Sequence, residues 1–355
     1  METDWFETLT GFKERSYQET QNNLEVDGGT LRSKVNGRSY AIGELETPSL
    51  GDLRSRALSV ANHSRGRLTV SSVTGDVGRL HQDPANRNAL FQVASQFNLL
   101  EMTGPDVTPE DGVTRYAYDR TQGPACAIAA GAATIYRNYF APVDGSLGQT
   151  RHRQVDCLKD LGAALGNESG SLWTMRNGYA LCTDDGLEAL RHTLGGLGDD
   201  EIGSLKDLLH IGLHWGVQVT SSDRTDLYVT QAFCSALPVS YTGIRSARWA
   251  PFARLVLEAA YEATLWAAAL NTQRSASNVV FLTHLGGGAF GNERPWINDA
   301  MRGALTRVSS AGVPLDVRVV SYGTPDAEVV RLVKDFSIGS SPATPAGHPT
   351  PSSEH

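Results

Sequence analysis

Long apolar runs are missing from this sequence. None approaches the roughly 20 residues that a membrane-spanning helix needs. The N-terminus METDWFETLTGFKER is acidic where a secretory signal would be basic and then apolar, so a cytoplasmic protein is expected. Paired cysteines are missing too. Cys126, Cys157, Cys182 and Cys234 are widely scattered with no CxxC pair, which excludes the dense spacing of a disulfide framework or zinc ribbon and predicts reduced thiols. Positive charge is in short supply: 31 Lys and Arg stand against 39 Asp and Glu, a net charge of −8 with pI near 5.6. That balance argues against a chain that coats nucleic acid or an anionic membrane. An anionic ligand would have to be held by backbone NH groups and a few local side chains. His210 and His214 in HIGLH have the spacing of two metal ligands on a helix, but the HExxH glutamate is missing and the adjoining WGVQVT reads as a strand. No metal and no cofactor are expected.

What is present suits a folded protein. With 40% hydrophobic and 20% charged residues, the chain can bury one large core or two modest ones. A short helix is expected from Trp5 to Lys13. Antiparallel strands should follow, turned by Asp27-Gly28-Gly29 and Asn36-Gly37. Ser49 is placed to cap a helix over LGDLRSRALSVA. From residue 67 strands alternate with helices: RLTVSSVTGD, ALFQVASQFNLL, then the helical PACAIAAGAATIYRNYF. This order predicts an α/β fold, a mixed, mostly parallel sheet with helices on both faces. The segment from about 145 to 225 holds helices near 184–194 and 199–210 and reads as a central insertion. A strand LYVTQAFCSAL precedes a long Ala-rich helix, whose Pro251 suits a first helical position. Residues 1–66 form an N-terminal extension, 67–336 the main domain, and 337–355 a Pro/Ser/Thr-rich tail expected to be disordered.

The densest signal is VVFLTHLGGGAFGNERPWINDAM, residues 279–301, in which four glycines fall within six positions between a strand and a helix. Gly286, Gly288 and Gly291 match GxGxxG. The dinucleotide fingerprint also wants an acid closing the next strand, however, and LDVRVVSYG ends in Ser321-Tyr322-Gly323. No Gly-Lys-Ser/Thr follows, which excludes a P-loop. The physics remains: a glycine run at a helix N-terminus offers backbone NH groups to phosphate with no Cβ atoms in the way. The bland alternative is a tight turn needing φ > 0.

These elements resemble the macrodomain family. An Ala-rich helix, an apolar strand, a glycine loop with an embedded Phe290, a helix and a strand match the family's C-terminal half. Upstream, Gly75-Asp76-Val77 in VSSVTGDVGRL is similar to the end of its opening strand. FQVASQFNLLEM stands where the family carries an aliphatic-Asn-Ala-Ala-Asn element but keeps only one asparagine, Asn98. TQGPACAIAAGAATI resembles its first loop. The resemblance spans about 67–140 and 225–325. It implies a three-layer α/β/α fold that binds ADP-ribose or an ADP-ribosylated macromolecule. Asp76 would accept from the adenine amino group, and Gly286 to Gly291, with Gly287, Gly288 and Asn292, would hold the diphosphate. Gln122, Gly123 and Asn98 would face the distal ribose, and Phe290 would cover it.

Two functions live on such a fold, binding alone or hydrolysis at the distal ribose. Hydrolysis at an anomeric carbon passes through an oxocarbenium-like centre and needs a carboxyl group beside it. Glu101 and Asp119 are the candidates, with Asn98 assisting; Glu101 could equally be a solvated charge or the partner of an Arg, and Asp119 a turn residue. The glutamate pair that poly(ADP-ribose) glycohydrolases carry behind their glycine run is absent, since Ala289-Phe290 follow Gly288. Trp173 hints at a partner or lid surface. A third possibility, an interaction module with a decayed site, predicts that Asp76 and the glycine loop do not meet.

Overall fold

The structure, a computed structural model, describes residues 4–60 and 66–337. The tail beyond Ser337 lies outside the described residues. Helices α1 (Trp5–Thr10) and α2 (Tyr17–Asn23) lead into a small antiparallel sheet of β1 (Leu24–Asp27), β2 (Thr30–Ser33) and β3 (Ser39–Ala41). Gly28 and Gly29 turn the first hairpin with φ of 52° and 79°, the doubly left-handed geometry that a two-residue turn requires. Strand β4 (Glu44–Glu46) leaves this extension and joins the main sheet; Ser49 then accepts from the Asp52 amide and opens α3 (Leu50–Val60).

The main sheet has seven strands. Beyond β4 they are β5 (Thr69–Thr74), β6 (Leu90–Ala94), β11 (Gly212–Gln218), β12 (Tyr228–Cys234), β13 (Val279–Leu282) and β14 (Asp316–Ser321), in the spatial order β4-β11-β12-β6-β13-β14-β5. From β12 to β5 every pairing is parallel, whereas β11 runs antiparallel to both its neighbours. The mixed, mostly parallel sheet read from the sequence is the observed one. Strand β11 lies inside the segment read as an insertion, so that segment also contributes to the sheet. Its remaining elements are β8 (Ser146–Leu147), which pairs with β7 (Pro142–Val143) just before the segment, helix α7 (Lys159–Ala164), the hairpin of β9 (Trp173–Arg176) and β10 (Tyr179–Cys182), and helices α8 (Asp184–Gly195) and α9 (Asp199–Asp207).

Alternation along the strands sends side chains to two helical layers. On one face, Gln92 of β6 donates to Thr264, and Thr230 of β12 donates to Asn271, both on α10 (Ser246–Gln273). On the other, Phe91 stacks on His81 of α4 (Val77–Gln82), and Gln231 donates to the Cys126 carbonyl of α5 (Gln122–Ala129). Helix α10 starts at Ser246, so Pro251 sits inside it and not at its first position. The helix read from Pro124 onward is two, α5 and α6 (Gly131–Tyr139), because Ala130 leaves helical geometry and the Gly131 amide turns to Thr220 Oγ1 at 2.8 Å. Helices α11 (Arg294–Ser310) and α12 (Ala327–Ser337) complete the fold; α12 has no counterpart in the sequence reading. Among the described residues no helix is long and apolar enough to cross a membrane.

Candidate functional site

The segments that leave the C-terminal ends of β5, β6, β13 and β14 converge on one cleft, the usual ligand position in an open parallel sheet. It has two lobes that share Thr121, Gln122, Thr283, His284 and Gly288. The outer lobe, about 460 Å³, includes Asp76, Arg120, Gly287, Tyr322 and Asp326. The inner lobe, about 160 Å³, includes Glu101, Asp119, Tyr179, Tyr241, Gly286 and Phe290. Asp76 and the glycine loop therefore meet, contrary to what a decayed interaction module predicts.

The glycine loop is shaped by its own backbone. Gly286 and Gly291 take φ of 71° and 72°, the Gly287 amide donates to His284, and the Asn292 amide donates to Gly286. Among the described residues the amides of Gly286, Gly288, Ala289 and Phe290 donate to no protein acceptor. Such a run of unspent NH groups is an anion-binding arrangement. A Cβ at Gly286 would come within 2.4 Å of Ala236, whereas one at Gly288 would meet nothing within 4 Å. Gly286 therefore serves the turn, and Gly288 leaves room above it. Gly291 and Asn292 do not line the cleft: Gly291 packs on Ser240, and the buried Asn292 carboxamide donates to Leu237 and Gly286 carbonyls. They hold the loop from behind.

Asp76 caps α4, its Oδ1 accepting from the Arg79 amide at 2.9 Å, and it remains exposed. Gln122 is more committed than the sequence suggested. Its Oε1 accepts from the Ala94 amide and its Nε2 donates to the Gln92 carbonyl, both at 2.8 Å, so the side chain clamps α5 to β6. Gly123 fits beside it because a Cβ there would stand 1.9 Å from the Ala94 carbonyl oxygen. Asn98 is fully buried and lines neither lobe; its Oδ1 accepts from Leu100 and its Nδ2 donates to Gln154. It braces the turn after β6, and the catalytic role expected for it is not supported by its position.

That turn carries the site's most consequential group. Leu99 adopts φ of 66°, the Leu99 amide donates to Gln96, and the Gln96 amide donates to Leu100. A left-handed leucine is strained. Its consequence is to turn Glu101 into the wall of the inner lobe. Glu101 is 2% exposed and neither carboxyl oxygen has a hydrogen-bond partner among the described residues. Burial pushes its carboxyl up to about 8, while the Arg137 guanidinium, 3.7 Å away, pulls the other way. Burial of this kind favours the protonated form of a carboxyl group. Asp119 stands at the mouth, its Oδ1 accepting from the Thr121 amide at 2.9 Å, so the turn role and a place at the cleft coexist.

Sequence reasoning missed Tyr179, Tyr241 and His284. Tyr179, Tyr241 and Phe290 pack against one another with centroids 5.1–5.5 Å apart and wall the inner lobe. The Asn177-Gly178 turn of the β9–β10 hairpin was a legible signal for Tyr179, but nothing local ties it to a site more than fifty residues away. His284 lines both lobes; its buried Nε2 has no partner among the described residues, and burial lowers its pKa. Trp173 is a core residue, packed on Phe252 at 5.0 Å, and not a lid.

No protein-family model matches the sequence, and no curated protein matches it. Among solved structures the chain is similar to poly(ADP-ribose) glycohydrolase from Deinococcus radiodurans in complex with ADP-ribose, with 14% identity, coverage of 82% of this chain and 92% of that one, and a TM-score of 0.42. It is similar also to poly(ADP-ribose) glycohydrolase from Thermomonospora curvata, with 14% identity, coverage of 90% and 97%, and a TM-score of 0.43. The T. curvata enzyme bound to the inhibitor ADP-HPD gives 14% identity, the same coverage and a TM-score of 0.42. What this cleft can bind follows from its own residues.

Proposed function

We propose that the chain binds ADP-ribose or an ADP-ribosyl group and hydrolyses the bond at the distal ribose. The observation that carries the reading is Glu101: a buried, unbonded carboxyl pushed up to about 8, beside a cleft whose outer lobe holds Asp76 and whose two lobes meet at the glycine loop. Asp76 has one carboxylate oxygen occupied as a cap and a second to accept from an exocyclic amine, with the Tyr322 ring in the same lobe. The unspent amides of Gly286, Gly288, Ala289 and Phe290 suit a diphosphate, and Arg120 adds positive charge nearby. The inner lobe then receives the distal ribose between Glu101 and the aromatic wall.

In this arrangement the protonated Glu101 gives its proton to the leaving atom as the bond at the anomeric carbon breaks. Asp119, in the same lobe, orients the water that adds to the oxocarbenium-like centre and takes the proton that water gives up. Raised and buried carboxyls are costly, and a reader has no use for one. That favours chemistry over binding alone.

Calorimetric titration with ADP-ribose, with NAD and AMP as controls, tests the binding step. Micromolar or tighter affinity, about 8 kcal/mol, selective for ADP-ribose is expected, and Asp76→Ala abolishes it. Glu101→Gln binds ADP-ribose like the wild type while turnover of ADP-ribosylated substrate falls ~100-fold or more. No heat from the wild-type protein overturns the reading, and full turnover in Glu101→Gln removes the assigned role.

A further inference from the structure

Behind Glu101 lies a guanidinium that the mechanism above leaves unused. Arg137 of α6 is fully buried. Its Nε donates to the Leu99 carbonyl and its Nη2 to Thr134 Oγ1, each at 3.1 Å, and its Nη1 lies 3.5 Å from His214 Nδ1. A guanidinium has only donors, so the His214 nitrogen facing it accepts. The Phe233 ring stacks beneath it, 3.8 Å from centroid to Cζ. Three of the five N–H groups of Arg137 are thus directed to Leu99, His214 and Thr134, while Glu101 Oε1 lies 3.7 Å from Nη2 and unbonded. A structural ion pair would be built the other way, with paired N–H···O bonds that hold the carboxylate ionised.

The one backbone group Arg137 holds in this region is the carbonyl of Leu99, the left-handed residue two before Glu101. Three of the titratable groups packed around Glu101 and Arg137 are kept neutral by burial. The Tyr116 phenol, which accepts from the Glu101 amide, and the Cys126 thiol are both pushed well up by burial. His214, beyond Arg137, is pushed well down by burial and by Arg137 itself. Across the inner lobe stand Asp119, Tyr179, Tyr241 and His284.

We propose that Arg137 is a positioning residue for Glu101, fixing the strained turn that holds Glu101 beside the inner lobe and neutralising the charge left on its carboxyl when the proton departs. The contact is long enough to leave the acid protonated before the step and close enough to stabilise the carboxylate after it. This inference rests on the reading of Glu101 as the proton donor.

The test is an NMR titration of the Glu101 side-chain carboxyl in the full-length protein without ligand, assigned by its disappearance in Glu101→Gln. In Arg137→Met the midpoint rises by about one pH unit or more, and in Arg137→Lys, which keeps the charge on a shorter and differently shaped group, it rises less. The alkaline limb of the turnover profile moves up with it. A merely structural arginine would lower kcat at every pH and leave that limb in place. An unmoved midpoint in Arg137→Met with wild-type near-ultraviolet dichroism overturns the proposal; if that variant does not fold, Arg137→Gln, which also removes the charge, is read the same way. A wild-type midpoint below about 5, the ordinary carboxylate range, overturns it without any variant. Loss of the ADP-ribose reading would look different, as absence of binding to the wild-type protein with the Glu101 titration intact.

Discussion

At the scale of single residues, burial sets the chemistry and also sets a cost. Glu101 titrates at about 8 in the fold against an ordinary 4.5, so the folded state holds its proton through a window where the unfolded chain has lost it. Stability from this group is fully present below pH 4.5 and is lost as pH rises through about 8, on the order of several kcal/mol in total. Urea melts should therefore find Glu101→Gln more stable than wild type at pH 8 and close to it at pH 4.5. Equal stabilities at pH 8 would mean that Glu101 is not a buried acid. His81 works in the opposite sense. Burial lowers its pKa to about 4 while Phe91 stacks on it and Gln231 approaches its Nε2. The unfolded chain binds a proton there first, so stability is lost as pH falls from about 6.5 towards 4. Asp76 and Glu101 were legible as candidates because acids beside strand ends are conspicuous; the clamp role of Gln122 was not, because it depends on which strand α5 lies against.

At the scale of elements, the glycine loop is the clearest case of sequence specifying structure. A strand, a glycine run and a helix follow in the order read, with Tyr261 of α10 bracing the start of the loop by donating to Thr283 and accepting from Leu285. The two glycines that look alike in sequence should respond differently. Gly288→Glu should fold normally, since a Cβ there meets open space, and should lose ADP-ribose binding by placing a carboxylate among the amides. Gly286→Ala should lower the melting temperature, because its φ is left-handed and its Cβ would collide with Ala236. Thermal melts and calorimetry on the pair separate the two effects; tight binding by a folded Gly288→Glu would contradict the loop's assignment to phosphate. The break between α5 and α6 was not readable, since the small-residue run has no local stop and the Gly131 amide is taken by Thr220, remote in sequence.

At the scale of the whole molecule, one buried acid links three helices of the layer over one sheet face. Glu262 of α10, 4% exposed at its side chain, pairs with Arg54 of α3 and Arg307 of α11 and accepts from Trp266. Arg54 also reaches Asp207 at the end of α9. Glu262→Ala leaves Arg54 only Asp207 and leaves the buried Trp266 Nε1 without its acceptor, and should cost about 1–3 kcal/mol, measured by denaturant unfolding, with ADP-ribose affinity unchanged because the network lies on α10's side of the sheet and lines neither lobe. A loss within experimental error would show the acid to be dispensable. By itself the sequence determined the class of fold, the strand–glycine loop–helix order near the C-terminus and the acids worth testing, because periodicity, turn chemistry and glycine content are local properties. The tertiary structure alone decided that β4 and β11 extend the main sheet, that Asn98 supports the site from behind, that Tyr179 and Tyr241 wall it, and that Arg137 stands behind Glu101. Each of those depends on contacts between residues far apart in the chain, and the burial that raises the Glu101 pKa exists only once those distant segments have closed around it.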